Sequence, residues 1–401
     1  MPSKRPLILL LLVTAFLSIA VAFRIPITHP MPGYRADIVE WAAHGRIADT
    51  FTPLAYPLFA GPAYRIAGDH GILVLQILLH LALAAVCYLL LRELRLPIAW
   101  SAYGSLPIVL FPDLILSVPK LWDLTLSTVL LLLFVFVCLR IAHSVPSPSF
   151  GLTATSGLIF AAAIFCRPNL ILLLPIVLFL LLPRRTNPSA ARAAGRVAIF
   201  LVLAAAGFSL LGIASHGAIY FPTNGPYNLY AGHNPQTNAA LLNHLNAEFS
   251  LAPDFYASHP GQPLPDFYSS EMGDDFTRRS IQFATHHPGE ELRLLALKLF
   301  TLFRPDTKLH PLFSASGLIK SFLAAPVILF LAALLLPGRP PLSFDDRLLL
   351  AFEICYILPF LLTNSDPRFR TPLEALLLLH LVSLLYRRRL APTPVSMPQT
   401  M

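Results

Sequence analysis

Long apolar runs joined by short charged connections constrain this chain more than any other feature. The first is "MPSKRPLILLLLVTAFLSIAVAF", and others such as "LQILLHLALAAVCYLLL" follow it to the C-terminal end. About twenty apolar residues are enough to cross the hydrocarbon of a bilayer as a helix. Lipid offers no partner to a backbone N–H or C=O, so such runs must satisfy those groups within themselves. The spacing predicts spans at roughly 7–23, 71–91, 97–117, 121–141, 150–166, 168–183, 197–215, 316–336, 347–363 and 373–386. Charged residues make up only 12% of the chain, against about 25% for a soluble protein. The expected fold is therefore all-α, a polytopic transmembrane helix bundle of about ten spans with a small extracytoplasmic domain. The first run is longer than the apolar part of a signal peptide and has no small-residue cleavage site before Pro26, so it reads as a retained span. The two runs around Arg167-Pro168 read either as one broken helix or as a re-entrant pair.

The short connections set the orientation. With the N-terminus in the cytoplasm, the inside segments hold Lys4, Arg5, Arg92, Arg95, Arg140, Arg184, Arg185, Arg192, Arg196, Arg339, Arg347 and Arg387 to Arg389, against Glu93, Asp345 and Asp346. That asymmetry is the one a cytoplasmic face shows. The net charge of +8 therefore reflects helix ends rather than one basic patch, and a nucleic-acid partner is excluded on that ground. Cys87, Cys138, Cys166 and Cys355 all fall in or beside apolar runs, with no CxxC pair, so neither a disulfide framework nor a zinc site is expected. The implied location is the plasma membrane, the inner membrane of a bacterium.

The chain divides into a transmembrane module over 1–215 that includes a first extracytoplasmic loop at 24–70, an extracytoplasmic segment over 216–315, a C-terminal transmembrane module over 316–387, and a cytoplasmic tail over 388–401. Within the long outside segment, the run from Leu292 to Phe303 is too short to span and reads as a helix along the interface.

The polar residues that suit chemistry lie in the outside connections. In "YRADIVEWAAHGRIADTF", Asp37, Glu40 and His44 fall three and four residues apart and share one helical face, while Ile38, Trp41, Ala42 and Ile47 would face the membrane surface. A solvated polar face accounts for the same spacing. In "TNSDPRFRTPLEALLLLH", Arg368 and Arg370 flank a Phe before the final span. Two guanidiniums there suit a phosphate, because Arg presents planar paired donors; headgroup anchoring or a salt bridge to Asp366 suits them as well. "FPDLILSVPKLWDLTL" adds Asp113, Lys120 and Asp123, and the turn before Pro168 adds Arg167. Glu353 lies inside the ninth run, where it either pairs with a neighbouring helix or sits close to the cytoplasmic end. His233 and Asn234 open the long outside segment, and the His286-His287 pair lacks metal-ligand spacing. No P-loop, GxGxxG, HExxH or GxSxG occurs. No metal site and no cofactor is expected, with a divalent cation left open.

Taken in order, several segments resemble the GT-C superfamily of membrane glycosyltransferases, the branch of protein O-mannosyltransferases and bacterial aminoarabinose transferases. They are Asp37 with "PLAYPLFAGPAYRI", then "LQILLHLALAAVCYLLLREL", "AAAIFCRPNLILLLPIVL", "NLYAGHNPQTNA", "THHPGEELRLLALKLFTLFRP" and "DPRFRTPLEALLLL", over about residues 30–385. The family often carries two adjacent acids in its first loop, where Asp37 is followed by Ile38, and an acid in its second loop where this chain has "SVPKLWD". The resemblance implies a sugar moved from a polyprenyl-phosphate donor to a lipid, glycan or protein acceptor, with membrane lipids around the enzyme. It implies inversion at the anomeric carbon, with Asp37 as the catalytic base and Glu40 beside it. Arg368 and Arg370, with Lys120 or Arg167, would bind the donor phosphate. Asp113, Asp123, His233 and Asn234 are further candidates. A transporter or flippase of a lipid-linked saccharide, or a non-catalytic relative, are the competing readings; a transporter usually shows internal repeats and charges near the midplane.

Overall fold

The computed structural model describes residues 5–28, 32–49, 51–145, 147–182, 189–243, 245, 247–261, 263, 265–267, 272–303, 325–335, 341–364 and 366–390. Among them the architecture is all-α. A first long helix, α1 (Arg5–Arg24), leads to α2 (Pro32–His44) and then α3 (Ala55–Glu93), which is kinked at Ala67-Gly68. Gly68 has φ +59, a conformation that a side chain would resist. The kink separates a segment that packs on α2 from the apolar span that follows.

Next come α4 (Ile98–Val109), the single turn α5 (Pro112–Ile115) and α6 (Leu124–His143). The predicted span 97–117 is thus two elements, because Pro112 cannot donate to the turn before it and starts a new one. α7 (Phe150–Cys166) ends at Arg167, which is extended, and Pro168 opens a 3₁₀ turn (Pro168–Leu173) followed by α8 (Leu174–Leu181). The break at Arg167-Pro168 is therefore real. α9 (Ala190–His216) closes on Gly217 in the left-handed region.

Beyond it stand the short helices α10 (Gly225–Gly232), α11 (Thr237–Leu242) and α12 (Leu251–Ser258), then α13 (Gly273–His286) and α14 (Pro288–Phe303). Three further apolar helices complete the described chain: α15 (Ala325–Leu335), α16 (Phe344–Leu362) and α17 (Thr371–Leu390). The first part of the span expected at 316–336 and the tail beyond residue 390 lie outside the described residues.

Four of these helices, α1, α3, α6 and α9, are long and apolar enough to cross a membrane. Large side chains such as Phe16 and Phe23 on α1, Leu210 on α9 and Ile328 on α15 are exposed. Apolar surface on that scale has lipid as its natural solvent. The chain is an integral, polytopic membrane protein.

Polar contacts inside the bundle set the helix register. His80 of α3 contacts Ser18 Oγ of α1 at 2.7 Å through Nδ1 and the Val109 carbonyl of α4 at 2.8 Å through Nε2. Gln76, one turn earlier, donates to Tyr56 Oη at 2.9 Å and to the Trp122 carbonyl at 2.8 Å. Glu353 finds its partner on a neighbouring helix: His380 of α17 bridges Glu353 at 2.9 Å and Asp346 at 3.2 Å, and Arg387 closes on Asp346. A parallel bridge joins His143 to Glu93 and Asp345, both at 2.9 Å. These bridges gather the ends of α3, α6 and α17 with the start of α16 at one end of the bundle. The opposite end carries Thr28, Lys120, Asp123, Arg167 and Arg370.

Candidate functional site

The opposite end is assembled from four separate connections. Thr28, just after α1, pairs with the loop before α6: its N–H donates to the Pro119 carbonyl at 3.0 Å and its carbonyl accepts from the Leu121 N–H at 2.9 Å. Together with Gln76, that contact fixes the segment carrying Lys120 and Asp123. Asp123 then meets Arg167 from the break after α7, Oδ2 to Nη2 at 2.8 Å, with both side chains about nine-tenths buried. The Arg167 guanidinium sits 5.6 Å from the centre of the Phe369 ring, on the 3₁₀ turn Pro367–Arg370. Tyr356 Oη donates to the Phe369 carbonyl at 2.9 Å and so holds that turn against α16.

Helix α2 reaches the same cluster. Tyr34 lies within electrostatic range of Arg167 and makes an edge contact with Tyr56, the ring centres 5.8 Å apart. One turn later Asp37 is 2% exposed. Its Oδ2 accepts a hydrogen bond from Thr52 Oγ1 at 2.6 Å. Burial raises its pKa to about 6; the Thr52 hydrogen bond opposes that shift, and the negative charges of Asp49 and Glu40 add to it. A carboxylate placed in this way is ionised at neutral pH yet basic enough to take a proton. Thr52 is held in turn by the hydroxyl of Tyr220, which donates to its carbonyl.

The face of α2 differs from the expected one. Ile38 is buried against α3 in the cluster that includes Tyr56 and Ile72, and the Trp41 indole packs on Gly61, where any Cβ would overlap the ring. These apolar residues meet protein rather than the membrane surface, because the segment of α3 before the kink lies across them. Glu40 acts locally. It accepts from the Ala48 N–H at 3.1 Å and shapes the loop that brings Thr52 to Asp37. His44 is exposed.

The cations also differ from one another. Arg370 is buried, with Nε 2.7 Å from Glu374 Oε1 and Nη2 3.7 Å from Asp113 Oδ2. Glu374 is fully buried, so this guanidinium balances carboxylates before it meets any ligand. The side chain of Arg368 lies outside the described residues. Lys120 has no carboxylate within ion-pair distance among the described residues. Its Nζ lies 5.0 Å from the centre of the Trp122 ring. Burial holds its ammonium below the usual range, with Asp113 pulling the other way. Sequence pattern alone favours the Arg pair, because it cannot show that Glu374 and Asp113 occupy Arg370.

His233 and Asn234 lie apart from this cluster. Asn234 donates to the Tyr230 carbonyl at 2.8 Å and to Ser250 Oγ at 2.7 Å, and accepts from the Gln236 N–H at 2.9 Å. That is a structural turn. His233 faces Glu291 through Nδ1 at 2.8 Å, while Nε2 lies 2.9 Å from the Leu362 carbonyl and 3.1 Å from Lys298 Nζ. Lys298 has no exposed surface. Burial lowers its pKa to about 8 against the pull of Glu291. Among the described residues no group of three or more His, Cys, Asp or Glu is placed to hold a metal ion.

No family model matches the chain, and no curated protein matches it. Among solved structures, the fold is similar to the crystal structure of ArnT from Cupriavidus metallidurans bound to undecaprenyl phosphate. The identity is 13% and the TM-score 0.39, over 96% of this chain and 78% of that one. Overlap at that level leaves function to be argued from the residues.

Proposed function

We propose that the chain is an integral membrane glycosyltransferase that moves a sugar from a polyprenyl-phosphate donor to an acceptor hydroxyl on the extracytoplasmic side. The observation that carries this reading is a buried Asp37 whose pKa is raised to about 6, one turn along α2 from Tyr34, which reaches Arg167. Asp37 takes the proton of the acceptor hydroxyl as its oxygen attacks the anomeric carbon. The bond from that carbon to the phosphate oxygen breaks, and its electrons leave on the polyprenyl phosphate. A phosphate leaves without being protonated, so one carboxylate suffices, unlike glycoside hydrolysis with its two. The configuration at the anomeric carbon inverts. Lys120 contacts the departing phosphate and stabilises its charge, while Arg167, paired with Asp123, and Arg370, paired with Glu374, hold the segments around it. The N-terminus and the Arg387 end face the cytoplasm, following the charge bias of the short loops.

The test is a polyprenyl phosphate carrying a photoreactive group beside the phosphate, incorporated with the purified protein in lipid nanodiscs. Adducts should map to the segments around Tyr34, Lys120, Arg167 and Phe369, and unlabelled polyprenyl phosphate should suppress them. Adducts confined to the Arg387 end would overturn the placement of the site. For orientation, a cysteine at Asn243 should react with an impermeant reagent outside intact cells, and one at Ala191 should not.

A further inference from the structure

A polar concavity that does not include Asp37 lies among α10, α12 and α13. It is about 580 Å³ in volume and is lined by Tyr230, His233, Gln236, Asp254, Arg279 and Gln282, with Phe283, His286 and His287 along one side. That volume is in the range of small-molecule sites.

The charges in this cleft are already balanced. Arg279 Nη2 lies 2.9 Å from Asp254 Oδ2, and the Tyr230 hydroxyl donates to the same carboxylate. A phosphate would therefore meet no uncommitted guanidinium, and a metal ion would find no ligand cluster among the described residues. What remains available is planar and able to hydrogen-bond. The side-chain amides of Gln236 and Gln282 have no hydrogen-bond partner among the described residues, nor do the ring nitrogens of His287. His286 uses only Nδ1, at 2.7 Å from the Gln282 carbonyl. Each side-chain amide offers a donor and an acceptor, and the imidazoles add ring nitrogens that hydrogen-bond. Adjacent hydroxyls on a sugar ring present the same alternation, so the two surfaces are complementary.

The cleft also touches the part of the chain that leads to the turn packed on Arg167. His233 forms one wall, and its Nε2 lies 2.9 Å from the Leu362 carbonyl. Gly232 lies so close to the Thr363 carbonyl that a Cβ would overlap it. Leu362 and Thr363 lead directly into the turn that carries Phe369 and Arg370.

We infer that this cleft binds a neutral saccharide of one or two rings, in contact with His233. Saccharide binding here does not depend on the transferase reading. Identifying the bound sugar as part of the acceptor rests on that reading.

The experiment is calorimetric titration of the full chain in nanodiscs with a panel of neutral methyl glycosides and disaccharides, and with inorganic phosphate as the anionic control. At least one neutral saccharide should bind, phosphate should not displace it, and Gln236→Ala and Gln282→Ala should each weaken it by about three- to tenfold. Both positions are at the cleft surface, so the fold should survive. No binding across the panel, displacement by phosphate, or unchanged affinity in the double variant would each overturn the proposal. Saccharide binding retained in Asp37→Asn supports it, and binding in a protein that never transfers sugar would reject the transferase reading and leave the cleft standing.

Discussion

Asp37 and Lys120 are the residues whose chemistry can be read most sharply. With a pKa raised from 3.8 to about 6, Asp37 is protonated in the fold at pH values where the unfolded chain has already released the proton. Between about pH 4 and 6 the native state binds more protons, so the contribution of Asp37 to stability falls as pH rises through that window. A base must be ionised, so the rate of transfer should rise with pH to a plateau above an apparent pKa near 6. A rate that stays level from pH 5 to 7 would exclude Asp37 as the base. For the donor site, Lys120→Met should weaken donor use by about one to two decades, the loss of roughly 1.5–3 kcal/mol from a charge-assisted bond, without lowering thermal stability. Arg370→Ala should act differently. It leaves the fully buried Glu374 without its nearest partner, a change that costs about 1–3 kcal/mol for a buried polar group left unsatisfied, so the midpoint of thermal unfolding should drop. A stable Arg370→Ala protein with weakened donor binding alone would return Arg370 to the phosphate.

At the scale of elements, the position of Asp37 depends on how α2 rests on α3. Trp41 sits on Gly61 with no room for a Cβ. Gly61→Ala should push the two helices apart at a cost of about 1–3 kcal/mol, shift the fluorescence of Trp41 and slow transfer, although Gly61 is not placed at the chemistry. Unchanged fluorescence and rate would show that the contact is loose. The same contact shows what the amino-acid pattern can and cannot reveal. Periodicity predicts a helix bearing Asp37 and Glu40, and α2 runs over Pro32–His44. The partner of its apolar face is not readable, since Ile38 and Trp41 suit lipid and protein equally well. Span existence is legible from apolar runs, because lipid demands them. The break inside 97–117 falls at Pro112, whereas Pro107 in the same run is carried within α4. Pairing with a neighbouring helix is one of two readings open for Glu353 in the sequence, and that His380 supplies the partner is not legible. Arg370 looks free in the sequence because Glu374, four residues on, reads as part of a span; its proximity to Asp113 is a property of the assembled bundle.

For the whole molecule, two ends with different chemistry follow from one alternating path of helices. One end ties carboxylates through His143, His380 and Arg387. The other gathers Lys120, Asp123, Arg167 and Arg370, with Asp37 on α2 beside them through Tyr34. On α14, Lys298 and Leu302 are buried while Leu292, Leu299 and Phe300 are exposed, a division suited to a helix lying at the membrane boundary. In the proposed reaction the donor headgroup meets the second end and the acceptor meets the segment beside it. Proton transfer to Asp37 is the central step of the proposed reaction. The deciding measurement is transfer of label from a radiolabelled polyprenyl-phosphate sugar in membranes containing the wild-type chain, Asp37→Asn or Glu40→Gln. Asp37→Asn should lose about two to four decades in rate while still binding the donor, and Glu40→Gln should lose far less; near-normal turnover by Asp37→Asn would contradict that role.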